Sequence, residues 1–209
     1  MSDAILAARR AAVASVELPA VLYLVAPGGA VDMLATSGPA AALWVPDPPP
    51  TPWRGRLAAR RFVEWSEDGS PEGPLHLTLA PLSRDPSGQA MLVTAHGRGY
   101  PAIVSPDRLA VLRALMGPEL DELVAASAAA ADAELASIRT ALLRGDADGA
   151  ARIAHGMKGM ALNLGADALA ASLEHLQQAS FDPDALAAVS AILSLSAAML
   201  EARFAAGTS

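Results

Sequence analysis

The sequence predicts an α+β domain followed by an all-α antiparallel four-helix bundle, and three observations carry that reading. Fourteen of the 16 prolines lie before Gly117, interleaved with short β-type runs and turn signals. The stretch after Gly117-Pro118 is mostly Ala and Leu at helical spacing, with few helix breakers. Aromatic residues make up only 4% of a chain that is 53% hydrophobic, a composition that favours closely packed helices over a β-sandwich core. The expected division is a small α+β domain over 1–104, a connector helix over 105–117 and the bundle over 118–207. No internal repeat is visible.

The first half opens with a predicted helix from Ser2 to Ser15. Strand-like runs follow at Val21 to Ala26, Ala30 to Ala35, Phe62 to Trp65, Leu75 to Leu79 and Ala90 to Ala95. Gly38 to Trp44 reads as a short helix, and Pro46-Asp47-Pro48-Pro49-Pro50-Thr51-Pro52 as an extended loop. The last two runs form a hairpin across Asp85-Pro86-Ser87-Gly88. Trp44, Trp53 and Trp65 are expected to pack in the core or against loops. Arg54, Arg56, Arg60 and Arg61 form a basic cluster, read as a solvated helix face or as a contact for an acidic partner or for the acidic bundle of this same chain. His76 and His96 lack metal-ligand spacing. This order of elements resembles a PAS sensory domain; the alternative is a ligand-free α+β module for docking or dimerisation. Ser105-Pro106-Asp107 starts a helix through Met116, the predicted connector.

The second half divides into four segments. Glu119 to Arg144 carries an apolar stripe of Leu120, Leu123, Val124, Leu135, Ile138 and Leu142. Gly145-Asp146 is a stop followed by a start, a glycine that ends one helix and an aspartate able to cap the next. The second helix spans Ala147 to Leu164 and stops at Gly165. The third runs from Ala166 to Ala179 with Leu169, Leu173 and Leu176 inward. Asp182-Pro183 gives an N-cap and a first-turn proline, and the fourth helix continues to Ala206 through Leu186, Val189, Ile192, Leu193, Leu195, Met199 and Leu200. Four amphipathic helices joined by short turns specify an up-and-down bundle.

Charge and composition exclude several functions. The net charge of −7 falls entirely on residues 118–209, while residues 1–117 balance. An acidic helical region is unsuited to nucleic acid, which demands cations against its phosphates. The absence of cysteine removes disulfides, thiol catalysis and Cys-based zinc sites. No apolar run is read as reaching the ~20 residues of a membrane span, and the N-terminal stretch, with arginines at 9 and 10, lacks a cleavable signal pattern. The expectation is a cytoplasmic protein with protein partners. There is no Gly-rich nucleotide loop, so no ATP-dependent kinase activity is expected.

One segment concentrates chemistry. Lys158 is the only lysine, set against fourteen arginines, and follows His155 by three residues in Ala154-His155-Gly156-Met157-Lys158-Gly159. A compact mobile ammonium differs in use from a planar guanidinium fork. At ~100° per residue, Ile153, Met157, Met160, Leu164 and Ala150 fall behind His155, while Ala151, Arg152, Lys158, Gly159 and Leu162 share its face. Along this helix the only carboxylate on that face is Asp148. Gly156 and Gly159 each cost about 1 kcal/mol relative to Ala in a helix interior. A solvated histidine accounts for neither these glycines nor the lone lysine; His175 fits that plainer description.

Ala154-His155-Gly156-Met157-Lys158-Gly159-Met160-Ala161, followed by Leu164-Gly165-Ala166 and Leu169, resembles the histidine-containing phosphotransfer (Hpt) domain, over about residues 119–206. Leu142-Leu143-Arg144-Gly145-Asp146 is similar to the turn that precedes the histidine helix in that family. Met157 stands where Leu is common, a volume-conserving change. The acid usual near the end of the third helix is shifted, Glu174 being the nearest. The resemblance implies that His155 accepts a phosphoryl group from the aspartyl-phosphate of a response-regulator receiver domain and passes it to another. It implies Lys158 as the phosphate counter-charge, and Gly159, Ala151, Leu162 and Arg152 as the partner-binding surface. No metal site is implied, any Mg²⁺ coming from the receiver; a hybrid histidine kinase is a further expected partner. The alternative is a non-catalytic interaction or ligand-sensing module whose bundle binds a signalling partner without phosphotransfer.

Overall fold

The computed structural model describes residues 3–43, 49, 51–67, 74–85 and 88–207, arranged as two compact units. The first comprises Met1–Pro101 together with Glu201–Ser209, and the second Ala102–Leu200.

The first unit is built on a five-stranded antiparallel sheet of order β2-β1-β5-β4-β3. Its strands are β1 (Ala20–Val25), β2 (Val31–Thr36), β3 (Val63–Glu67), β4 (Leu75–Asp85) and β5 (Gly88–His96). Helix α1 (Asp3–Ser15) precedes them, and α2 (Gly38–Leu43) and α3 (Thr51–Ala59) lie between β2 and β3. Alternate residues of the central strands, Val21, Tyr23, Leu77, Leu79, Met91 and Val93, join Ala40, Trp53 and Leu57 in one core. The intervening Ala20, Leu22, Ala80, Ala90 and Leu92 are buried as well. Burial on both faces explains why β1 and β5 read as continuous apolar runs. The edge strand β3 instead alternates half-buried and exposed residues.

Ser37 fixes the entry to this sheet. Its buried hydroxyl donates to the Leu18 carbonyl at 2.6 Å and accepts from the amides of Ala20 and Ala40. One side chain therefore positions the start of β1 and the first turn of α2.

Three expectations change here. Thr51 and Pro52, assigned to an extended loop, open helix α3, because proline is tolerated in a first turn. Strand β4 runs past Leu79 to Asp85, with the register shift between Pro81 and Arg84 absorbing a proline that cannot donate to the ladder. The basic cluster is divided: Arg54 and Arg61 are exposed, but Arg56 lies 4.8 Å over the Trp65 ring and Arg60 donates to the Ala26 carbonyl. Trp44, residues 46–48, Pro50, Pro86 and Ser87 lie outside the described residues.

The second unit contains α4 (Pro106–Met116), α5 (Glu119–Leu143), α6 (Ala147–Leu164), α7 (Asp167–Gln178) and most of α8 (Pro183–Gly207). Helix α4, read as a connector, belongs to this unit. It starts at an N-cap in which Ser105 accepts from the Arg108 amide, and its Arg108 side chain donates to the Asn163 carbonyl at the end of α6. The last turns of α8, in contrast, group with the first unit.

Helix α5 buries Leu120, Val124, Ala131, Leu135 and Ile138, whereas Leu123 of the expected stripe is exposed. Helix α8 buries Val189, Ile192, Leu193, Leu195, Met199 and Leu200, covering much of its circumference. Its Pro183–Phe204 segment is long and apolar enough to cross a membrane, contrary to the sequence expectation, but 61% of that window is buried inside the protein. Such a helix is apolar all round because it is enclosed by its neighbours.

Candidate functional site

Helix α6 begins and ends as its sequence dictates. The Asp146 carboxylate caps its first turn by accepting from the Gly149 amide at 2.8 Å. At the other end Gly165 takes the left-handed conformation, φ 75°, which suits a residue without a side chain. A Cβ there would also meet the Arg108 Cβ at 2.7 Å, so α4 imposes a second requirement for glycine. Between these fixed ends, α6 presents one buried and one open face.

The buried face is Ala150, Ala154, Met157, Ala161 and Leu164. Ile153 and Met160, expected within the stripe, are only half-buried. The stripe is thus displaced by roughly 40° from the position directly behind His155, toward the alanines. Alanine lets neighbouring helices approach closely, and an apolar count that favours large side chains overlooks it.

On the open face His155, Arg152, Gly156 and Gly159 are exposed, Leu162 is 49% exposed, and Ala151 and Lys158 are half-buried. The six residues singled out from sequence therefore lie on or beside one accessible face. A Cβ at Gly156 or Gly159 would meet nothing within 4 Å. Neither glycine is required by the packing of this chain, in contrast to Gly149 and Gly165.

Helix α7 adds what helical arithmetic on α6 could not supply. Glu174 brings a carboxylate oxygen to 3.2 Å from the Lys158 ammonium, so the face has an acid beyond Asp148. Their side chains are 53% and 27% exposed respectively, and ion pairs this open contribute only about 0–1 kcal/mol. Gln177 donates its amide to the Ala151 carbonyl at 3.1 Å, tying α7 to α6 one turn before His155. Glu174 and Gln177 lie three residues apart on adjacent turns of α7, so they share one face of that helix.

Residues 122–203 match the family model for the Hpt domain. That match lies in the C-terminal half. Hpt domains perform histidine phosphotransfer in two-component signalling, and they interact with receiver domains and kinases. No curated protein and no solved structure matches the chain. The match covers α6, its two flanking turns and the α7 residues that face it.

Elsewhere the structure assembles a pair that sequence spacing concealed. His76 and His96 are direct cross-strand partners on β4 and β5, with ring centroids 5.0 Å apart and planes 21° from parallel. The Ser66 hydroxyl lies 2.8 Å from His76 Nδ1. Among the described residues no group of three or more His, Asp or Glu side chains is arranged to hold a metal ion.

Proposed function

We propose that this protein is a phosphorelay intermediate with His155 as its phosphoacceptor. A nitrogen of the exposed imidazole attacks the phosphorus of a receiver's aspartyl-phosphate. The N–P bond forms as the acyl P–O bond breaks, and the aspartate leaves as a free carboxylate. A second receiver reverses the step, its carboxylate oxygen displacing the imidazole. Such transfers depend on positioning and on neutralising the equatorial phosphoryl oxygens. Lys158 supplies positive charge from this chain, and Mg²⁺ arrives with the receiver. Gly159, Ala151, Leu162 and Arg152 form the surface on which the receiver docks.

The observation that carries this reading is the open space over Gly156 and Gly159 beside an exposed histidine, within an Hpt domain. Helix-weakening residues that the fold itself does not need are accounted for by the close approach of another protein. After α1 the first unit runs through two strands, two helices and three strands, an order that supports a sensing or docking role of the PAS-like kind.

The test is to mix the full chain with a phosphorylated receiver domain and follow the label. The expected product is an acid-labile, base-stable phosphate that is absent from His155→Gln. Label retained by that variant would overturn the assignment. Lys158→Ala is expected to slow transfer while the bundle stays folded.

A further inference from the structure

We propose that Glu174 is a positioning residue that holds the Lys158 ammonium while the histidine is unmodified and yields it when a phosphoryl group arrives. This inference rests on the reading of His155 as phosphoacceptor. It follows from the number of anions that one cation must serve. Lys158 is the only lysine, lies one turn beyond His155 on α6, and has a carboxylate oxygen of α7 at 3.2 Å. Helical side chains lean toward the N-terminus of their own helix, so the stem of Lys158 points back toward the turn of His155. The ammonium sits on a flexible four-carbon stem with three donors, and can be shared or handed over. A phosphoryl group on His155 would place a second, more highly charged anion within reach of the same cation.

On the two helices that carry the pair, the other charged side chains are few. On α6 they are Arg152 and Asp148, both exposed, and on α7 Asp167 and the exposed His175, with neutral Gln177 bonded to Ala151. In the unmodified state Glu174 cancels much of the positive potential that would draw an anionic donor to His155. Glu174 thus sets how readily the site is charged, and Lys158 is the group through which it acts. A purely structural pair joining α6 to α7 predicts no such effect on phosphorylation.

A small donor tests this without a cognate receiver. Phosphoramidate transfers its phosphoryl group to an imidazole nitrogen: its P–N bond breaks as the new N–P bond forms, and ammonia leaves with the imidazole proton. The full-length protein, Glu174→Gln, Lys158→Met and the double variant are treated with phosphoramidate. Phosphohistidine is followed by ³¹P NMR, with His155→Gln as the control for site. Met keeps the apolar stem of the half-buried lysine, and circular dichroism verifies each fold. Glu174→Gln is expected to raise the initial rate roughly three- to tenfold at low ionic strength, the gain shrinking as salt is added. In the Lys158→Met background the same change is expected to alter the rate less than about twofold. Equal rates for Glu174→Gln and the unsubstituted protein would overturn the proposal, as would an undiminished gain without Lys158. Label insensitive to His155→Gln would instead overturn the phosphoacceptor reading itself, and this proposal with it.

Discussion

The Asp146 carboxylate and Gly149 are interlocked: the carboxylate accepts from the Gly149 amide, and a Cβ at position 149 would fall 2.0 Å from its other oxygen. The cap that starts the histidine helix thus needs both an aspartate and a residue without a side chain three positions later. Asp146→Ala is expected to cost about 1 kcal/mol of stability through loss of the cap. Gly149→Ala is expected to destabilise also, although alanine usually favours a helix by about 1 kcal/mol over glycine. Urea unfolding of the two variants checks this, and a stabilised Gly149→Ala would show that the cap can move aside.

The glycines over the open face should behave in the opposite way. Gly156→Ala and Gly159→Ala introduce a methyl group where nothing lies within 4 Å, so each should stabilise the bundle by about 0.5–1 kcal/mol. Gly159→Met should leave the fold intact but reduce transfer from a receiver by at least about tenfold, since the bulk falls on the proposed docking surface. Thermal unfolding and the transfer rate, measured on the same preparations, separate the two effects. Rising stability with falling transfer is the expected signature of residues retained for function.

Inside the bundle, Ser196 is 3% exposed and its hydroxyl has no hydrogen-bond partner among the described residues. It lines a small half-open cleft of about 30 Å³ with Val124, Ala131, Met160, Leu164 and Leu200. An unsatisfied buried hydroxyl costs about 1–3 kcal/mol, so Ser196→Ala should hold or raise stability despite removing an atom from the core. Chemical denaturation measures it. A loss of more than about 1 kcal/mol would mean that the hydroxyl is satisfied in solution.

The order of the elements was legible because local signals agreed with the fold: Gly145-Asp146, Gly165 and Asp182-Pro183 all punctuate helices where expected. The histidine face was legible for the same reason, since all of its residues but two come from one helix. What escaped were relations between elements. The Lys158–Glu174 pair and the Gln177–Ala151 bond join α6 to α7, and the stacked His76 and His96 lie twenty residues apart. Register and packing bring such residues together, and periodicity within a segment carries neither. Ala154, Ala161 and Ala131 were missed because small buried residues give no hydrophobic peak.

The end of α8 illustrates the same limit and gives a final prediction. The Arg203 guanidinium pairs with Glu64 on β3 and lies 5.4 Å over the Phe62 ring, all three within the first unit. Ala202 beside it is buried, and burial pulls the Arg9 guanidinium of α1 below its ordinary value while Glu201 opposes that shift. Residues that read as the last turn of a bundle helix therefore act as part of the sheet domain. Arg203 is only 24% exposed in its side chain, so Arg203→Ala removes an ion pair, a cation–π contact and apolar packing together. The expected loss is about 1–2 kcal/mol. Hydrogen exchange localises it: amides of β3 should lose protection while those of α5 and α6 keep theirs. Loss of protection in α5 and α6 instead would assign Arg203 to the bundle.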